Sequence, residues 1–182
     1  DMSTMDSLKY YAMMLNAGMM SMDPYSGEIK AWVGGINHQY FKYDHVMQAK
    51  RQAGSTFKPF VYLAALESGM SPCDKITDKP VTIKIDKGDS VEIWEPKNAD
   101  WNFSYREMSL RHAMARSINS VTVQLTDMVT PAKVVDAAHR CGITSKLNPV
   151  ASVGLGPNDV SVFEMVNGYS TMMNHGERVT PL

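Results

Sequence analysis

Arg51-Gln52-Ala53-Gly54-Ser55-Thr56-Phe57-Lys58-Pro59-Phe60 sets a serine and a lysine three residues apart where a glycine-led turn runs into an apolar helix. At that spacing, in the first turn of a helix, the two side chains share a face. A serine hydroxyl is a poor nucleophile at neutral pH and needs a base beside it. A lysine can be that base only if its pKa is lowered. Burial and the positive end of the helix dipole both push in that direction. The dipole also favours an oxyanion near the Ser55 N–H. Pro59 loses little in the first turn, and Gly54 allows close approach of backbone or substrate. Ser55 is the candidate nucleophile and Lys58 its candidate base. The bare S-x-x-K pattern decides nothing, since chance supplies roughly one in a chain this long. Its setting at a helix start, with an apolar helix behind it, carries the weight.

Working outward, the helix is predicted from Phe57 to Ser68, buried on most sides and closed by Gly69. Upstream, Met19-Met20-Ser21-Met22 and Glu28 to Val33, joined by Asp23-Pro24-Tyr25-Ser26-Gly27, read as a β-hairpin before Gly34-Gly35. Downstream, Val81 to Ile85 and Ser90 to Trp94, joined by Asp86-Lys87-Gly88-Asp89, read as a second and peripheral one. Leu110, Ala113, Met114, Ser117, Ile118, Val121 and Leu125 keep helical spacing behind Ser109, an N-cap. A break near Ser117 to Asn119 preserves the same count, so period alone leaves it open. Thr130-Pro131 opens and Gly142 closes a further helix with Val134, Val135 and Ala138 inward. Ser161-Val162-Phe163-Glu164 is a capping box opening a last one, toward Gly176.

The chain has 182 residues, 44% hydrophobic and 20% charged, enough for one core. Its 18 basic and 19 acidic residues are dispersed and sum to −1. No basic stripe exists to neutralise a phosphate backbone, which argues against nucleic acid. Cys73 and Cys141 form no CxxC, and the five histidines have no metal-ligand spacing, so no metal site is expected. The 15 methionines suggest an adaptable core. No run approaches the roughly 18 apolar residues of a membrane span, and no signal-peptide pattern opens the chain. With no initiator Met and no closing tail, both ends read as cut.

Ser117-Ile118-Asn119 interrupts an apolar helical stripe with two polar side chains, which are unfavourable on a core face unless they find partners. Alone, they read as a helix cap or as a pair that satisfies each other. Beside an S-x-x-K they read as its known companion, an S-x-N element.

The run Arg51 to Phe60 resembles the active-site signature of class A penicillin-binding proteins, the bifunctional synthases that cross-link bacterial peptidoglycan. Its neighbours agree in order and spacing: Met22-Asp23-Pro24 through Gly27-Glu28-Ile29 to Val33-Gly34-Gly35, then Trp94-Glu95-Pro96-Lys97-Asn98, then Ala115-Arg116-Ser117-Ile118-Asn119-Ser120-Val121. The resemblance implies an α+β fold of the β-lactamase/transpeptidase type, an antiparallel sheet flanked by helices, with Ser55 at the sheet–helix boundary. It implies that Ser55 attacks the D-Ala-D-Ala amide of a peptidoglycan stem peptide and passes the acyl group to a neighbouring stem. Lys58 would be the base, Ser117 would relay a proton to the leaving amine, and Asn119 would bind the substrate peptide. β-Lactam antibiotics would acylate Ser55. No metal or cofactor is implied. The implied whole protein is membrane-anchored, has an upstream glycosyltransferase domain, and works on the extracytoplasmic, periplasmic face of the bacterial inner membrane.

Two departures touch none of that chemistry: Ala53 stands where the family usually has proline, and Phe103-Ser104-Tyr105 replaces a glycine-bearing stretch. A third is larger. No Lys-Thr-Gly occurs, and residues 1–182 read as a partial transpeptidase domain lacking that motif's strand. The missing strand would leave an unpaired sheet edge beside the first hairpin and a transpeptidase fragment with little or no activity. Two other readings compete: a serine β-lactamase or β-lactam sensor, for which no deacylating acid is evident, and a non-catalytic binding module, which has no need of the four site residues.

Overall fold

The computed structural model describes residues 3–86 and 91–182. In chain order its elements are α1 (Thr4–Ala12), β1 (Met19–Met22), β2 (Ile29–Val33), β3 (Arg51–Gln52), α2 (Lys58–Glu67), β4 (Lys75–Thr77), β5 (Ile83–Asp86), β6 (Val91–Trp94), β7 (Glu107–Ser109), α3 (Leu110–Ala115), α4 (Asn119–Val129), α5 (Pro131–Cys141), β8 (Asp159–Val160) and α6 (Val162–Met173). The class is α+β, as expected. The described strands form four two-stranded antiparallel ladders, β1–β2, β3–β8, β4–β7 and β5–β6. The chain divides into two compact units: residues 1–50 with 161–182, and residues 51–160.

In the first unit the predicted hairpin forms, pairing Met19 with Val33 and Met20 with Trp32. Its turn is held by the Asp23 carboxylate, which accepts from the N–H groups of Tyr25 and Ser26 at 2.8 and 3.0 Å. The capping box at Ser161 and Glu164 opens α6 as read from sequence. That helix lays Phe163 against Trp32, ring centroids 5.9 Å apart. The edge of β2, expected to be unpaired, is partly covered: Leu182 donates to Gly27 O at 2.9 Å and accepts from Ile29 N at 3.0 Å.

In the second unit, α2 packs against α4 and α5. The interior is filled by Phe57, Phe60, Val61, Leu110, Val121, Leu125 and Val134, with Ala64, Ala65, Ala113, Ala137 and Ala138 letting the helices approach closely. Methionine does not build this core. Across both units Met20 is the only buried methionine among the described residues, because alanines and β-branched side chains already fill the space. Val135, read as inward, is half-buried, and the inward stripe of α5 is Val134, Ala137, Ala138 and Cys141. β5 and β6 pair only with each other among the described residues, as expected of a peripheral hairpin. The turn predicted to join them lies outside the described residues from Lys87 on.

Two further corrections bear on the site. The helix predicted from Phe57 begins at Lys58 and is preceded by a 3-10 turn, Gly54–Phe57. The stripe from Leu110 to Leu125 is broken: α3 stops at Ala115 and α4 starts at Asn119.

Candidate active site

The nucleophile turn is built mainly by backbone. β3 pairs with β8, so Arg51 faces Val160 and Gln52 faces Asp159. Beyond the ladder, Ala53 N donates to Asn158 O at 3.4 Å and Gly54 N to Gly156 O at 3.0 Å. Gly54 has φ +57, which glycine holds without strain, and a Cβ on Gly156 would collide with the Gly54 backbone, so glycine is required at Gly156. The chain then enters the 3-10 turn, in which side chains three apart eclipse one another. Ser55 is exposed at that turn and Lys58, three residues on, is 2% exposed.

Opposite it, the break between α3 and α4 has a defined form. Ser117 N donates to Met114 O at 2.9 Å and Ile118 N to Ala113 O at 3.0 Å, with Ser117 at φ +53. These are the two bonds of a Schellman helix end, with serine at the left-handed position that glycine usually takes. Conformations of this kind cost about 1–3 kcal/mol in a non-glycine residue and cluster at functional sites. Here the turn brings Ser117, through both its carbonyl and its hydroxyl, to Lys58.

Lys58 Nζ donates to Ser117 O at 2.6 Å, to Ser117 Oγ at 2.9 Å and to Asn119 Oδ1 at 2.6 Å. Three of the four sequence-predicted site residues are therefore joined directly, and Ser55 lies three residues before Lys58 in the adjoining 3-10 turn. All three acceptors are uncharged. Burial is not offset by a counter-ion, and it pulls the Lys58 pKa down to about 8. Burial is thus one of the two causes expected from sequence.

The donor and acceptor inventory fixes where the Lys58 lone pair points. Asn119 Nδ2 donates to Lys97 O at 2.8 Å, so the amide oxygen must face Lys58 and can only accept. The Ser117 carbonyl can only accept as well. When Lys58 loses a proton its two remaining N–H groups stay with those two oxygens, and the lone pair faces the Ser117 hydroxyl. That hydroxyl is the one partner able to give or take a proton.

Sequence reasoning missed what holds Asn119 in place. Asp78, 2% exposed, accepts at Oδ1 from Ser120 Oγ at 2.6 Å and Asn98 Nδ2 at 2.8 Å, and at Oδ2 from Ser104 N at 2.7 Å. Burial pushes its carboxyl up, but those hydrogen bonds outweigh it and hold the pKa below the usual value. Phe103-Ser104-Tyr105 therefore does reach the site indirectly. Tyr105 takes φ +55 while its N–H donates to Asp78 O at 2.9 Å, a left-handed position that a glycine would hold without strain. Asn98 and Ser117 also line a cleft of about 870 Å³, together with Phe103, His112 and Arg116. Trp101, on the loop beyond Asn98, is 72% exposed and lies under Lys97 Nζ, 4.8 Å from its ring centroid.

Around this strand-anchored serine turn, buried lysine without a counter-ion and S-x-N helix break, the chain belongs to the penicillin-binding protein transpeptidase family. The family's domain, described as penicillin binding protein transpeptidase domain, matches residues 17–182. Penicillin-binding protein 1A of Rickettsia felis is 38% identical over 167 residues, covering 92% of this chain and 21% of that protein. The crystal structure of penicillin-binding protein 1A from Haemophilus influenzae superposes with a TM-score of 0.80 at 24% identity, over 92% of this chain and 27% of that one. A penicillin-binding protein structure from Mycobacterium tuberculosis gives 0.78 at 27% identity, over 90% and 44%. The expectations of a class A penicillin-binding transpeptidase and of its fold are met. The chain spans about a fifth of the length of the curated relatives it matches.

Proposed function

We propose that residues 1–182 carry the acylation half of a serine D,D-transpeptidase that cross-links peptidoglycan stem peptides, and that they form a partial transpeptidase domain lacking the Lys-Thr-Gly strand. The observation that carries this reading is Lys58: buried, bonded only to neutral acceptors, and three residues from an exposed serine. Neutral Lys58, through the Ser117 hydroxyl, takes the proton from Ser55 Oγ as Oγ bonds to the carbonyl carbon of the penultimate D-alanine. The C–N bond then breaks. The leaving D-alanine amine collects its proton from Ser117, which is re-protonated from the Lys58 ammonium. An amine of a second stem attacks the ester, releasing Ser55 and forming the cross-link. β-Lactams, mimicking the dipeptide, stop at the ester.

Asn119 holds Lys58 with its oxygen and would hydrogen-bond the substrate peptide. The whole protein on this reading is anchored in the bacterial inner membrane with a glycosyltransferase domain upstream and works on the periplasmic side. No helix of the described residues is long and apolar enough to cross a membrane, so an anchor would lie elsewhere. The Ser55 N–H alone would serve the oxyanion. Losing a second donor typically lowers the rate by about 10² to 10³, so the chain by itself turns over little or not at all.

Intact-mass spectrometry after exposure to a fluorescent penicillin tests the reading on this chain, its Ser55→Ala variant, and a chain extended through the remaining strands. The expected result is an adduct on the extended chain that Ser55→Ala abolishes. An unlabelled extended chain would overturn it and favour a binding module.

A further inference from the structure

We propose that Asp78 is a positioning residue for acylation: through Asn98 and Ser120 it fixes the Asn119 amide with its oxygen toward Lys58, sealing that amine from water. The inference rests on the reading of Lys58 as the base.

Two routes lead from Asp78 to Asn119. Ser120 Oγ donates to Asp78 Oδ1 at 2.6 Å, clamping the residue next to Asn119 at the start of α4. Asn98 Nδ2 donates to the same oxygen at 2.8 Å while Asn98 Oδ1 accepts from Ser120 N at 3.1 Å. Holding Asn98 also holds Lys97, whose carbonyl takes Asn119 Nδ2 at 2.8 Å. That last bond decides which end of the amide meets Lys58. Asp78 itself is immobilised from the strand side, donating from its N–H to Arg106 O at 3.1 Å and accepting at its carbonyl from Tyr105 N at 2.9 Å.

A carboxylate suits this place better than an amide. Every group it meets is a donor: the Ser120 hydroxyl, the Asn98 amide N–H and the Ser104 backbone N–H. The D78N substitution would turn an amide N–H toward one of those donors. The partners of Asp78 and of Lys58 are all uncharged, so no ion pair links the two, and burial is what lowers the Lys58 pKa. A change at Asp78 therefore reaches Lys58 through the Asn119 amide and the water it excludes.

The experiment measures Ser55 acylation by a fluorescent penicillin against pH on the full-length protein, for wild type, D78N, S120A, N119A and the D78N/N119A pair. Wild type should lose rate on the acid side with a midpoint near 8. D78N should move that midpoint upward and lower the rate at neutral pH about tenfold, one pH unit corresponding to a factor of ten. S120A removes a single donor and should move it less, in the same direction, and it serves where D78N does not fold. N119A should move the midpoint as D78N does, and adding D78N to N119A should change nothing further, because both act through one amide. A midpoint unmoved in D78N and S120A, a loss equal at every pH, or additivity in the pair would overturn the role of Asp78 alone. A wild-type profile with no acid limb would instead remove Lys58 as the base, and this inference with it.

Discussion

Lys58 and Asp78 are both 2% exposed, and both have lowered pKa values, yet the same direction means opposite things. For a lysine it moves toward the neutral form, because burial removes water and no counter-charge replaces it. For an aspartate it moves away from the neutral form, because hydrogen-bond donors converge on the two oxygens and overcome burial. One buried group is left poised to change its charge, the other is held against changing it. The first is the signature of chemistry and the second of architecture, and here they lie at two ends of one hydrogen-bonded chain.

Replacing each group should separate the two roles. The largest effect is expected from Lys58→Met, which should lower Ser55 acylation by about 10² to 10⁴ while leaving the urea midpoint unchanged or raised, since the ammonium has no counter-ion and its desolvation offsets the three hydrogen bonds it donates. A lowered midpoint would break the contrast. Asp78→Ala should do the reverse at folding, lowering stability by about 3 kcal/mol because two buried donors, Ser120 Oγ and Asn98 Nδ2, and the part-buried Ser104 N–H lose this acceptor. Chemical denaturation of the variant reads this directly.

A pH series sharpens the same point. With a folded pKa of about 8 against an ordinary value of 10.5, Lys58 binds fewer protons when folded. Its destabilising effect is therefore fully present below about pH 8 and is relieved as pH rises toward 10.5. Wild type should gain about 1–2 kcal/mol relative to Lys58→Met over that interval, the comparison removing tyrosine and cysteine titrations common to both. The smallest change should follow Ser117→Gly, which relieves the left-handed strain and adds up to about 1 kcal/mol of stability. Its acylation rate should fall nonetheless, as the relay hydroxyl is gone; a variant both stabler and as reactive would remove Ser117 from the proton path.

The two ends of the chain also differ in how far sequence exposes them. Ser55 and Lys58 are legible because their relation is local, three residues apart at a helix start. The capping box at Ser161 and the proline and glycine bounding α5 are legible for the same reason. The break at Ser117 is not, since a Schellman turn followed by a new helix preserves the apolar spacing that a continuous helix would show. Asp78 is invisible. Its partners lie 20, 26 and 42 residues away, and nothing adjacent to it in sequence distinguishes it from a surface aspartate. The pair Gly154 and Gly156 offers a signal, glycines clustered before Pro157-Asn158, but only the fold reveals that Gly156 abuts the backbone of Gly54.

That backbone-to-backbone contact divides the site by evolvability. Neighbouring substitutions in the Ser55 turn find few side-chain handles by which to shift Ser55, and a replacement at Gly156 drives a Cβ into the Gly54 backbone and disrupts it outright. The wall formed by Ser117 to Ser120 is suspended from side chains at Asp78 and Asn98, so single substitutions there can retune reactivity in small steps. Natural variation in this site should accumulate around the suspended wall and spare the clamped turn.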